Sequence, residues 1–125
     1  MANPNIVAVT EILGESVGAI ATTSFVNIVT NTASSGKVYK INSLIATNID
    51  TVNAQDISVN YVSGGTSYAL ARNISIPLTS SLVAVAKDSG IYLNEGDSIA
   101  IKATVASVVE VVCSYEIISW EATLD

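Results

Sequence analysis

The sequence predicts an all-β chain: one domain over residues 1–125, built as a two-sheet β-sandwich with jelly-roll-like order and about eight strands. Three observations predict it. Val, Ile and Thr dominate, and such β-branched residues suit the pleated, half-buried surface of a sheet. Short runs of Ser, Asn, Asp, Gly and Pro recur between the apolar stretches, each residue type suited to a tight bend. No segment sustains a helical hydrophobic period. An immunoglobulin-like sandwich is the alternative topology, but its Cys-Trp-Cys pattern is absent.

From the N-terminus, the strands expected are Ile6–Ile12, Val17–Ala21, Ser24–Val29, Val38–Asn48, Ile57–Val62, Tyr68–Ile76, Leu82–Lys87, Ser98–Thr104 and Val109–Ser119. Pro4 and its two Asn neighbours favour an extended arm over residues 1–5. Gly14-Glu15-Ser16-Val17-Gly18 reads as a turn between the first two strands. In Tyr39–Thr47, alternation puts Tyr39, Ile41 and Ile45 on one face and Lys40, Asn42 and Leu44 on the other. In the last strand, Val109, Val111, Cys113, Tyr115 and Ile117 share a face opposite Glu110, Ser114 and Glu116. Leu82–Ala86 is apolar on both faces, which predicts a central or covered strand. Ser63-Gly64-Gly65-Thr66 reads as a hairpin loop, making Tyr61 and Tyr68 a cross-strand pair.

Only 13% of the residues are charged, against roughly 25% in a typical soluble chain. Ser, Thr and Asn cover the surface instead, which favours burial of part of it against neighbours. The net charge of −6 and the scattered placement of Lys37, Lys40, Arg72, Lys87 and Lys102 argue against nucleic acid and against anionic membrane surfaces. The stretch from Ser16 to Gly36 lacks charge but is interrupted by Thr, Ser and Asn, so it does not read as a membrane span. Met-Ala-Asn-Pro-Asn has neither the basic nor the apolar region of a secretory signal. Cys113 stands alone in a strand-like run and reads as a buried structural thiol, compatible with synthesis in a reducing host cytoplasm.

Catalytic patterns lack their partners. Histidine is absent, which removes the commonest general base and imidazole metal ligand. Ser16 sits in a G-x-S-x-G match with no histidine and no following helix to form a nucleophile elbow. Ser34 and Lys37 match S-x-x-K, but in a loop rather than on one helical turn. Asn73-Ile74-Ser75 is a glycosylation sequon without the signal that would give it meaning. Asp88, Glu95 and Asp97 cluster without the spacing of a calcium loop and read as solvated turns. Tyr61, Tyr68 and Trp120 are candidates for a sugar-stacking face, with Trp120 placed just after the last strand. The expectation is therefore no enzyme, no catalytic residue, no cofactor and no metal.

Several stretches resemble small structural proteins of tailed bacteriophages, especially those of marine cyanobacteria. They are Ala33-Ser-Ser-Gly-Lys-Val-Tyr-Lys-Ile-Asn-Ser-Leu-Ile45, Ala46-Thr-Asn-Ile-Asp50, Ile76-Pro77, Lys87-Asp-Ser-Gly-Ile-Tyr-Leu-Asn-Glu-Gly-Asp-Ser98 and Val112-Cys-Ser-Tyr-Glu-Ile-Ile-Ser119, together with the opening Met-Ala-Asn-Pro-Asn. The resemblance spans nearly the whole chain and implies a virion structural protein with no catalytic or ligand residues to carry over. Within that class, a compact β domain without catalytic groups, a weakly charged surface and an N-terminal arm favour a capsid decoration (cement) protein on the head surface, self-associated as a trimer and bound to the phage major capsid protein. A neck, tail or fibre component is the alternative, and a host-glycan binding module near Tyr61 and Tyr68 is the second.

Overall fold

The β-branched runs form nine strands in the computed structural model, which describes residues 9–120. These are β1 (Val9–Ile20), β2 (Val26–Thr30), β3 (Lys37–Asn48), β4 (Gln55–Ser63), β5 (Thr66–Ile76), β6 (Ser81–Val85), β7 (Ile91–Leu93), β8 (Ser98–Ala103) and β9 (Val109–Trp120). One 3₁₀ turn at Lys87–Ser89 separates β6 from β7. The strands make two antiparallel sheets, one ordered β1-β9-β3-β6 with β7 also paired to β3, the other β2-β8-β4-β5. The two-sheet sandwich is the one the sequence predicts. Its pairing is nested: β1 with β9, β2 with β8, β3 with β6 and β7, β4 with β5. Such nesting is that of a long antiparallel ribbon folded over on itself.

The facing sheets enclose one core. Ile41, Leu44, Ile57, Val59, Leu93, Ile99, Ile101, Val109, Val111 and Cys113 are all buried within it. Burial of these side chains is the main source of stability, at about 25 cal/mol per Å² of apolar surface. The strict alternation at the start of β9 survives from sequence to structure, with Val109, Val111 and Cys113 inward and Glu110 and Val112 outward. No helix among the described residues is long and apolar enough to cross a membrane.

Four expectations change. Gly14-Glu15-Ser16-Val17-Gly18 is no turn; it lies inside one continuous β1, paired with β9 from Ile20 back to Glu11. The ladder supplies hydrogen bonds that outweigh the weak strand preference of two glycines. On β3 the alternation breaks at Asn42, which is an extra residue between the pairs Ile41–Tyr115 and Ser43–Ser114. This bulge reverses the faces that follow, so Leu44 is buried and Ile45 exposed, opposite to the simple period. β6 is not central: among the described residues it pairs only with β3, and it leaves Val83 56% exposed. β7 has no counterpart among the expected strands, since three residues are too few to show a period. The expected arm at residues 1–5 and the start of the first expected strand, residues 6–8, lie outside the described residues.

Two buried asparagines tie the connections together at opposite ends of β3. Asn31 donates from Nδ2 to the carbonyls of Lys37 (2.7 Å) and Leu93 (2.9 Å) and accepts from Ser35 Oγ at 2.6 Å. Asn48 donates to the carbonyls of Asn53 and Ile76, each at 3.0 Å, and accepts from the Asp50 N–H at 2.9 Å. Each amide thus ties a connecting segment to carbonyls at the ends of strands.

Candidate functional site

The sequence-derived chemical candidates are placed in structural roles. Ser16 Oγ lies 3.0 Å from Ser114 Oγ in a cross-strand hydroxyl pair on β1 and β9. Ser34 sits in the β2–β3 loop at φ 59°, before Lys37 opens β3. Asp97 is no solvated turn residue: it is 1% exposed, accepting from the Tyr61 hydroxyl at 2.6 Å and from the Asn94 N–H at 3.0 Å. Burial and the Asp97 carboxylate together push the Tyr61 phenol above its usual value. Glu95 turns the other way and accepts from the Gly36 N–H at 2.8 Å. The two carboxylates are thus spent on holding loops, and no group of three potential metal ligands converges among the described residues.

Tyr61 and Tyr68 are the cross-strand pair expected, with ring centroids 6.2 Å apart. Tyr68 is the exposed member, while Tyr61 is committed to Asp97. Trp120 ends β9 opposite Val9 rather than following the strand. Cys113 is fully buried, and burial pushes its thiol up to about 11, so it stays protonated and unreactive near neutral pH.

What remains for interaction is the pair of outer sheet faces. On the first sheet, Gly18, Val112, Ile45 and Val83 stand side by side across β1, β9, β3 and β6. Val112, Ile45 and Val83 are 37–56% exposed, and a Cβ added at Gly18 would meet nothing within 4 Å. The result is an open apolar row across the sheet. Beside it, Gly14, Glu15, Ser16, Asn42, Ser114, Tyr115 and Glu116 line a shallow cleft of about 400 Å³. The bulge residue Asn42 donates from Nδ2 to Glu116 Oε1 at 2.9 Å, while its Oδ1 is buried with no donor among the described residues.

The second sheet carries a different cleft, of about 250 Å³, lined by Phe25, Ser58, Asn60, Ala71, Arg72, Asn73 and Lys102. A bulge on β5 sets Arg72 and Asn73 opposite Ser58 alone, with Asn73 at φ 49°. Ser58 locks the bulge by accepting from the Asn73 N–H at 2.9 Å and donating to Asn73 Oδ1 at 3.2 Å. Lys102 Nζ lies 5.5 Å from the centre of the Phe25 ring. The sequon residue Asn73 therefore serves the bulge. Sequence reading misses both clefts because their residues meet only through cross-strand register.

No protein-family model matches the chain, and no curated protein matches it in sequence. Solved structures do share its shape. A subunit of Bacillus endospore appendages, described as disulfide-linked pili, aligns over 88% of this chain and 89% of its own at 18% identity, with a TM-score of 0.53. The nucleoplasmin-like N-terminal domain of Drosophila FKBP39 aligns over 97% and 98% at 10% identity and TM-score 0.43. A pentameric capsid protein from metagenomic phage sequences aligns over 84% of this chain and 62% of its own at 17% identity and TM-score 0.40. At these identities the first likeness supports the β-sandwich fold, and none carries a function. With Cys113 as its single, buried cysteine, this chain has no accessible thiol for the linkage named for the pili.

Proposed function

We propose that this chain is a non-enzymatic structural protein of a phage particle, acting as a decoration protein that binds the assembled head. The observation that carries the reading is the open apolar row of Val112, Ile45 and Val83 on a chain with only 13% charged residues. Such a row is ordinary inside an interface and costly on a free surface. Residues whose chemistry could suggest catalysis are engaged in loops and strand pairs, which supports a scaffold rather than a reactive site. The sequence resemblance to tailed-phage structural proteins supplies the particle.

A decoration protein binds the finished shell and not its free subunits, so its binding free energy becomes particle stability. A trimer seated on the phage major capsid protein at local three-fold positions is the arrangement proposed, since closed rotational symmetry repeats one contact. Immunogold labelling of intact virions with antibody against this chain tests the reading. Dense label over the head is expected. Label confined to the neck or tail would overturn decoration in favour of the neck, tail or fibre role, and absence of label would overturn the virion assignment.

A further inference from the structure

The cleft on the second sheet has a chemistry of its own. Its lining brings Arg72 and Lys102, two of only five cations in the chain, together with Phe25, Ser58, Asn60 and Asn73. Register makes the meeting: Lys102 is the partner of Ser58, and Ser58 faces Arg72 and Asn73 across the β5 bulge. In a chain of net charge −6 this is a local excess of positive charge, and no carboxylate in the lining offsets it.

The groups are held in place by the protein itself. Lys102 Nζ rests over the Phe25 ring, 5.5 Å from its centre. Ser58 is 5% exposed and fixes the bulge through its two hydrogen bonds with Asn73. With Oδ1 engaged by Ser58, Asn73 offers a ligand the donors of its Nδ2. The two-for-one bulge, with Asn73 at φ 49°, re-aims the side chains of Arg72 and Asn73. Phe25 is 44% exposed, so ring surface stays open beside the cations.

Such a lining is selective. Two cations call for an anion, and a guanidinium donates to a carboxylate through two parallel N–H bonds. The amides of Asn60 and Asn73 suit hydroxyl groups, and Phe25 offers an apolar face to C–H groups. At about 250 Å³ the cleft is smaller than the roughly 300–1,000 Å³ of drug-sized sites, which leaves room for a single ring. A pyranose bearing a carboxylate meets every one of these demands. A bare anion would leave Phe25 and the amides unused, and a neutral sugar would leave the cations without a counter-charge. Neither Tyr61 nor Tyr68 lines this cleft, so it is separate from the sugar-stacking face expected at those residues.

We infer that this cleft binds a hexuronate unit of an acidic polysaccharide, with the carboxylate on Arg72 and Lys102, ring hydroxyls on Asn60 and Asn73, and Phe25 against the ring. The site stands apart from the decoration reading. The two are compatible, because the Val112–Ile45–Val83 row and this cleft lie on the outer faces of different sheets.

Heteronuclear NMR titration of the full-length protein tests it, with glucuronate as the probe and glucose, acetate and inorganic phosphate as controls for its parts. Glucuronate should shift the backbone amides of Ser58, Asn60, Arg72, Asn73 and Lys102 saturably, in about the millimolar range expected for so small a ligand, and less strongly at high salt. Glucose, acetate and phosphate should each bind at least about tenfold more weakly. Arg72→Ala and Lys102→Gln should each weaken glucuronate binding at least about tenfold. Should Lys102→Gln fail to melt cooperatively, Arg72→Ala, at an exposed position, carries the same test. Absence of saturable shifts at these residues, glucose binding as tightly as glucuronate, or an Arg72→Ala variant that binds like wild type would each overturn the inference. Acetate or phosphate matching glucuronate would overturn the sugar in favour of a plain anion site.

Discussion

β1 and β3 are both 12 residues long and both pair with β9, yet they do different work. β3 has neighbours on both edges, and Val38, Ile41, Leu44 and Ala46 are fully buried along it. Among the described residues β1 has one neighbour, and Ile12, Leu13 and Ile20 are 50–57% exposed. Length and apolar content do not distinguish the two; position in the sheet order does. The contrast separates a region that holds the fold together from a region that is offered to something else, since a long exposed apolar edge invites pairing or docking.

The largest effect expected is on the inside of β3. Leu44→Ala should cost about 2–5 kcal/mol, the usual range for emptying a packed leucine site. Ile12→Ala on β1 should change stability by no more than about 0.5 kcal/mol. Urea unfolding of both variants measures the difference, and equal losses would erase the distinction between the strands. A smaller effect is expected at the end of β3. Asn31→Ala leaves the Lys37 and Leu93 carbonyls without their donor, at a cost of roughly 1–3 kcal/mol. It should also speed hydrogen exchange in the Asn31–Gly36 and Asn94–Asp97 loops while leaving β1 unchanged.

The smallest effect is electrostatic and lies beyond the other end of β3. Asp50 accepts from the Val52 N–H (2.8 Å), the Asn53 N–H (3.1 Å) and Gln55 Nε2 (2.9 Å). These bonds, the Val52 N–H first, hold its carboxyl below the ordinary 3.8. A folded value below the unfolded one stabilises the fold at pH above 3.8, and the contribution is lost as pH falls through the lowered value. Asp50→Asn, which stands in for the protonated carboxyl, should therefore lower stability slightly at pH above 3.8 and match the wild type in acid, so that the acid decline is flatter. Melting curves across that range check the sign; a steeper acid decline would contradict it.

Much of this fold is legible in the residues. β9 and the β4–β5 hairpin announce themselves because strict alternation and Gly64-Gly65 state both the period and the turn. β3 is legible as a strand but not in its facing, because one extra residue at Asn42 reverses every side chain beyond it. β1 reads as broken because Gly14 and Gly18 resemble a turn when the β9 ladder beside them is not in view. Asp97 and Asn31 look like surface turn residues until the chain closes over them. The outer faces are least legible: Asn42 and Glu116, or Arg72 and Lys102, are distant in sequence and meet only through register and bulges. Composition hints at them, in a charge content too low for a fully solvated surface.

The central claim is that the exposed half of this molecule exists to be covered in a particle. Its most direct test is quantitative mass spectrometry of purified virions, comparing copies of this chain with copies of the major shell protein. A constant ratio set by the shell lattice, retained after salt washing, is the result the account predicts. Absence from the particle would contradict it.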